Sequence, residues 1–276
     1  MKYSSLTFLV LLPLQILAQQ ARSPICPIVF DGRVPPIVEI TDFDIPTDTP
    51  YSSLRPPNIK WSSSLSFPRI LPSVFDRPYG GKAIEVSITD QSIVQVGKVR
   101  QTGLRRSELI VNDTKTGDQK AYHWSVRQGK QLDLNHEYAN VFLEKAGKST
   151  TNTFVLTAGN WKGTKTDDFK VLNSEGRMIW QTQMLQNEWQ NFAMLLDHDK
   201  DTIKVYYSRG DAVLAPVTKD LKNDNSEGGY LHIGVLKKSI AAKDPQRNGI
   251  QPNDIHESQI YGGVFIENAM KKCVSV

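Results

Sequence analysis

Trp189-Gln-Asn-Phe-Ala-Met-Leu-Leu-Asp197, His198-Asp-Lys-Asp201 and Thr202-Ile-Lys-Val-Tyr-Tyr-Ser208 follow one another without a break. The outer segments are rich in aromatic and aliphatic residues and the four residues between them are turn formers, so the whole reads as a β-hairpin. A second hairpin precedes it, with Asn173-Ser-Glu-Gly176 joining Phe169 to Leu172 with Arg177 to Met184. Further out, Ala83 to Gln95, Ala121 to Gln128, His136 to Glu144, Thr153 to Thr157 and Leu231 to Leu236 also read as strands. No helix of about ten residues and no repeat emerges. The pattern predicts an all-β chain, a β-jelly-roll sandwich of two antiparallel sheets with one concave face as a substrate groove.

The 276 residues are 22% charged and 39% hydrophobic, which excludes a disordered, collagen-like or polytopic membrane protein. A formal charge of +4 with no block of like charges argues against a nucleic-acid partner. Eleven of the 15 prolines fall between Pro24 and Pro78, so the first third should wrap irregularly over the core. Lys2, the apolar run Leu6 to Leu17 and the small residue Ala18 read as a secretory signal peptide over 1–18, with Ala21 as the alternative cleavage position. That run is shorter than the roughly 20 residues a membrane span needs. The expected mature chain, 19–276, is one secreted, extracellular, monomeric domain without a membrane partner. Cys26 and Cys273 are its two cysteines and should pair in an oxidising compartment, tying the ends together. Asn112-Asp-Thr114 is an N-glycosylation sequon.

No Gly-rich phosphate loop, G-x-S-x-G elbow or H-E-x-x-H helix occurs, so no cofactor or catalytic metal is expected. A calcium ion held by loop carboxylates such as Asp199 and Asp201 is left open. The candidate chemistry lies in charged residues inside strand-like sequence. In Gln101-Thr-Gly-Leu-Arg-Arg-Ser-Glu-Leu-Ile110, period-2 alternation sets Arg106 beside Glu108 on one face. The bland alternative is a solvated ion pair. Alternation sets Glu137 in a row with Ala139, Val141 and Leu143, where desolvation would raise its pKa and suit a general acid. Otherwise it is a strand-end residue facing water. His123 shares a polar face with Ser125 and Arg127, and His232 lies opposite the apolar row Leu231, Ile233 and Val235. A structural histidine is the commoner outcome at each. Trp161, flanked by glycines in Gly159-Asn-Trp-Lys-Gly163, is the best of five tryptophans for stacking on a sugar.

The chain resembles glycoside hydrolase family 131, the fungal secreted β-glucanases. The resemblance runs through Cys26-Pro-Ile-Val-Phe-Asp-Gly-Arg33, Gln101-Thr-Gly-Leu-Arg-Arg-Ser-Glu-Leu109, Tyr122-His-Trp-Ser-Val126 and Leu134-Asn-His-Glu-Tyr138. It continues through Trp189-Gln-Asn-Phe192, Leu231-His-Ile-Gly234 and Ile260-Tyr-Gly-Gly-Val-Phe-Ile-Glu267. It implies a jelly-roll catalytic domain cleaving β-1,3, β-1,6 and β-1,4 glucan linkages by inversion, with two glutamates as acid and base and a nearby histidine. By motif these fall on Glu108, Glu137 and His232. Glu137 is assigned as acid and Glu108 as base, an assignment that reverses readily, with Arg106, His123, Tyr138 and Trp161 lining the groove. Inversion sets the two carboxyl groups about 6.5–9.5 Å apart. The C-terminal cellulose-binding module of many relatives is not expected here. Two rivals remain: a jelly-roll polysaccharide lyase acting on uronates, for which Arg-Ser-Glu-Leu is also a fitting motif, and a non-catalytic glucan-binding lectin.

Overall fold

The computed structural model describes residues 26–113, 119–148, 151–241 and 243–275; the signal peptide expected over 1–18 lies outside them. Two antiparallel sheets face each other, with strands numbered along the chain. One runs β12 (Met178–Gln183), β11 (Asp168–Leu172), β10 (Asn152–Gly159), β9 (Glu137–Lys145), β17 (Gly229–Lys238), β7 (Leu104–Asp113) and β2 (Ser52–Leu54). The other runs β15 (Ala215–Pro216), β14 (Thr202–Arg209), β13 (Gln190–Asp197), β8 (Gln119–Gln128), β18 (His256–Asn268), β4 (Ile84–Thr89) and β3 (Leu65–Ser66). To this second sheet, β1 (Ile28–Asp31) adds beside β18 and β16 (Leu221–Lys222) beside β14. A short ribbon, β5 (Gln95–Val96) with β6 (Val99–Arg100), stands apart. Among the described residues the helices are short 3-10 turns, and none is long and apolar enough to cross a membrane.

The turns form where side chains cap them. Asn173 Oδ1 accepts the backbone N–H groups of Glu175 and Arg177, and Gly176 takes the positive φ that closes the hairpin. Asp197 Oδ1 accepts the Lys200 N–H in the next one. Ala83 to Gln95 does not run through as one strand. Ser92 turns the chain after Thr89 by accepting its N–H, so β4 ends there.

Between the sheets, alternate residues interdigitate in one core. Trp124 lies at its centre, stacked on Phe154 and Phe192 at 6.0 and 5.5 Å. The outer face of the nine-stranded sheet is covered by the proline-rich first third: Phe75 packs edge-on against His123 and Phe265, and Trp189 Nε1 donates to Leu71 O. The outer face of the seven-stranded sheet carries the polar residues of interest. β18, the longest strand, is absent from the strands read from sequence. Gly262-Gly263 interrupts its pattern, and a register shift between Gly262 and Phe265 absorbs them. Any side chain at Gly263 would meet Phe75 Cβ at 2.3 Å, so close packing of the covering segment requires glycine there.

Candidate active site

Three strands at the middle of the seven-stranded sheet, β7, β17 and β9, build the site. On β7, Leu109 and Val111 enter the core, so Arg106 and Glu108 share the outer face. Arg106 grips Glu108 through two bonds, Nε to Oε1 at 2.7 Å and Nη2 to Oε2 at 2.9 Å, and donates Nη1 to Gln101 Oε1. On β17, Leu231, Ile233 and Val235 turn inward and leave His232 outward, its Nδ1 2.6 Å from Glu108 Oε2. Phe142 of β9 stacks on the imidazole at 4.3 Å and fixes its plane. Glu108 is fully buried. Burial pushes its carboxyl up, but the Arg106 charge and the bonds from His232 and Arg106 prevail and hold it at about 2.

That depression makes a prediction for acid stability. A carboxyl lowered from 4.5 to about 2 contributes stability at and above the unfolded-state value and loses it as pH falls from there to about 2. The contribution is on the order of 3 kcal/mol for so buried a group. Urea midpoints measured from about pH 6 to about pH 2.5 should fall steeply below about pH 4.5, and Glu108→Gln should flatten much of that slope. Equal slopes in both proteins would show that Glu108 is not the group responsible.

A residue that alternation conceals completes the cluster. Glu144 Oε2 lies 3.9 Å from His232 Nε2, so the imidazole stands between two carboxylates. Burial, reinforced by the Glu108 charge and opposed by His232 and Arg106, raises the Glu144 pKa. The two carboxyl groups approach different nitrogens of the ring, Glu108 at Nδ1 and Glu144 at Nε2. One site holds a carboxylate fixed in its ionised form and another biased toward its protonated form.

Glu137 stands elsewhere. It opens β9, opposite Gly159, and ion-pairs Lys238 through Oε1 and Nζ. The apolar row assigned to it is corrected by a bulge. Val141 pairs with Leu156 and Ala139 with Thr157, so Asn140 has no counterpart on β10 and the alternation shifts by one residue. Val141 and Leu143 face the core, while Ala139, Phe142 and Glu144 share the outer face with Glu137. Tyr138 points inward, its hydroxyl donating to Glu257 Oε2 at 2.8 Å and lying 3.0 Å from Asp133 O, with Lys237 on the other Glu257 oxygen. It does not line the groove. His123 belongs to the other sheet, where it bonds Glu267 Oε2 at 2.9 Å and stacks on Phe265 at 4.3 Å. Trp161 is half-buried in the loop after β10. Asn112 is exposed at the end of β7, and Thr114 of its sequon lies outside the described residues.

Among the described residues no three His, Cys, Asp or Glu side chains converge on a common point as metal ligands would. Asp201, one of the two loop carboxylates considered for calcium, accepts the Asn225 N–H through Oδ1. Cys26 and Cys273 form a disulfide.

The family model of the glycoside hydrolase 131 catalytic N-terminal domain matches residues 28–272. The GH131 β-glucanase catalytic domain of Podospora anserina superposes with a TM-score of 0.69 at 18% identity, covering 87% of this chain and 95% of that one. The family 131 catalytic domain of Coprinopsis cinerea gives 0.64 at 19% identity, covering 87% and 94%. Truncated AlyQ, with CBM32 and alginate lyase domains, shares the fold at a TM-score of 0.56 and 10% identity, covering 86% and 64%. The curated proteins give no match. With the family model spanning nearly all of the described chain, this protein belongs to glycoside hydrolase family 131 and is a glycoside hydrolase.

Proposed function

We propose that the chain is a secreted, inverting β-glucanase cleaving β-1,3, β-1,6 and β-1,4 linkages, in which Glu144 is the general acid and Glu108 with His232 forms the base. The observation that carries this reading is the Glu108–His232–Glu144 row, whose end carboxyls are biased in opposite directions. Protonated Glu144 donates to the glycosidic oxygen as the C1–O bond breaks, and the leaving sugar departs with a hydroxyl. A water on the opposite face gives its proton to His232 Nε2 as its oxygen bonds C1, and ionised Glu108 stabilises the imidazolium through Nδ1–H. Proton exchange with solvent then restores both groups. The 3.9 Å gap between His232 and Glu144 is too narrow for a sugar ring. Glu144, with 22% of its side chain exposed, therefore rotates outward when substrate enters. Glu108, fully buried and held by Arg106 and His232, is not placed to attack C1, which supports inversion over a covalent intermediate.

The test is to incubate the protein with β-1,3-, β-1,4- and mixed-linkage glucans and with alginate, then analyse products by mass and early anomer by proton NMR. Saturated oligosaccharides, one water heavier per cut and first appearing as the α-anomer, are expected. A first-formed β-anomer would replace inversion with retention. Unsaturated uronides would make the chain a lyase, and binding without cleavage a lectin.

A further inference from the structure

The outer face of the seven-stranded sheet continues well past the catalytic row. Lys238 lies six residues beyond His232 on β17, roughly 20 Å along the strand, and pairs with Glu137. Neither member is sealed off: their side chains are 38% and 24% exposed. Such a pair offers both a donor and an acceptor to neighbouring hydroxyls of a sugar.

The loop that ends β10 stands beside this pair. Gly159, opposite Glu137, has φ 72, and a Cβ there would lie 2.0 Å from His136 O. From that close approach the loop is pinned by three further bonds. Asn160 N–H donates to His136 O, Gly163 N–H to Asn160 Oδ1, and the Thr164 hydroxyl to Trp161 O. Lys162 sits at φ 50, a conformation uncommon for a residue with a side chain, and its ammonium lies 4.8 Å from the Trp161 ring centroid. The start of the loop is held from the outer face of the sheet. Phe169 and Val171 enter the core, so Lys170 faces outward, yet it is fully buried, with Nζ donating to Gly159 O and Asp168 O. A pinned loop thus carries a half-buried indole two residues beyond the glycine that pairs with Glu137.

We infer that Glu137, Lys238 and Trp161 form a distal glucosyl-binding subsite, remote from the bond that is cut, which sets the preference for long glucan chains. The inference rests on the hydrolase reading above. An indole face matches the C–H face of a β-glucosyl ring, whose equatorial hydroxyls point outward toward the charged pair. It gives Glu137 a binding task in place of proton donation.

Calorimetric titration with a ladder of β-1,3- and β-1,4-gluco-oligosaccharides, from disaccharide to hexasaccharide, tests it in the Glu144→Gln chain, which holds substrate without cutting it. Adding Trp161→Ala should weaken hexasaccharide binding by about tenfold, the order of one lost stacking partner, while the disaccharide, seated near His232, binds as before. Trp161→Tyr should restore most of the loss. In the active enzyme, Glu137→Gln should raise KM for the hexasaccharide without a matching fall in kcat. Equal affinity at every length with and without Trp161 would overturn the subsite. So would a collapse of kcat in Glu137→Gln on short and long substrates alike. A chain that cleaves no glucan yet loses long-chain binding with Trp161 would refute the hydrolase reading and retain the subsite.

Discussion

Glu144→Gln is expected to lower kcat on unactivated β-glucan by about 10²- to 10⁴-fold, the range for removing a general acid. The substitution keeps the shape of the side chain and removes only its proton chemistry. Among the described residues the Glu144 side chain meets only His232, at 3.9 Å, and it is partly open to solvent, so the folded state should change by less than about 1 kcal/mol. The leaving group provides the sharper readout. A glucoside whose aglycone departs without a proton should be cleaved nearly as fast by the variant as by the native enzyme, because that step no longer needs the acid. The alkaline limb of the kcat–pH profile should disappear as well, since the raised Glu144 carboxyl sets it. Should Glu144→Gln retain kcat within about threefold on natural glucan, proton donation lies elsewhere. Loss of the same activity in Glu137→Gln would return the acid to the residue that alternation favours.

The different fates of Glu108, Glu144 and His123 show what a strand pattern conveys. In β7 and β17 alternation is unbroken, so Arg106, Glu108 and His232 fall on one face by counting alone. Glu144 is invisible to the same count. It lies an odd number of residues from Glu137, and only the bulge at Asn140 brings both to one face. A bulge has no dependable signature in one sequence, because any residue can be the extra one. His123 fails for another reason. Its strand has the same alternating texture as β17, and nothing local says which of two sheets a strand will join. The covering segment that buries it, around Phe75, is about fifty residues distant in sequence. The fold class was legible because hairpins and alternating strands are local features, whereas the pairing of strands far apart in the chain, which assembles the site, is not.

Replacing both Cys26 and Cys273 by Ser is expected to cost about 5 kcal/mol of stability, the largest effect of any change outside the groove. The two residues are 247 apart in sequence, so the bond closes a loop of almost the whole described chain. Loop-closure entropy rises only as the logarithm of length, but at this length it nears its practical maximum. The native state loses little by comparison. Phe30 and Asp31 pair with Ile266 and Phe265, and Asn268 N–H donates to Pro27 O, so β1 and β18 hold the ends together without the covalent bond. The constraint therefore acts mainly on the unfolded chain, and the melting temperature should fall by roughly 10–20 °C for a domain of this size. Activity measured well below that temperature should be unchanged. The disulfide joins the ends at the nine-stranded sheet, whereas Glu108, His232 and Glu144 stand on the outer face of the other. A loss below about 1 kcal/mol would mean that the denatured chain already keeps its ends together by residual structure. A fall in kcat under fully folded conditions would show instead that the groove depends on the anchoring of the termini.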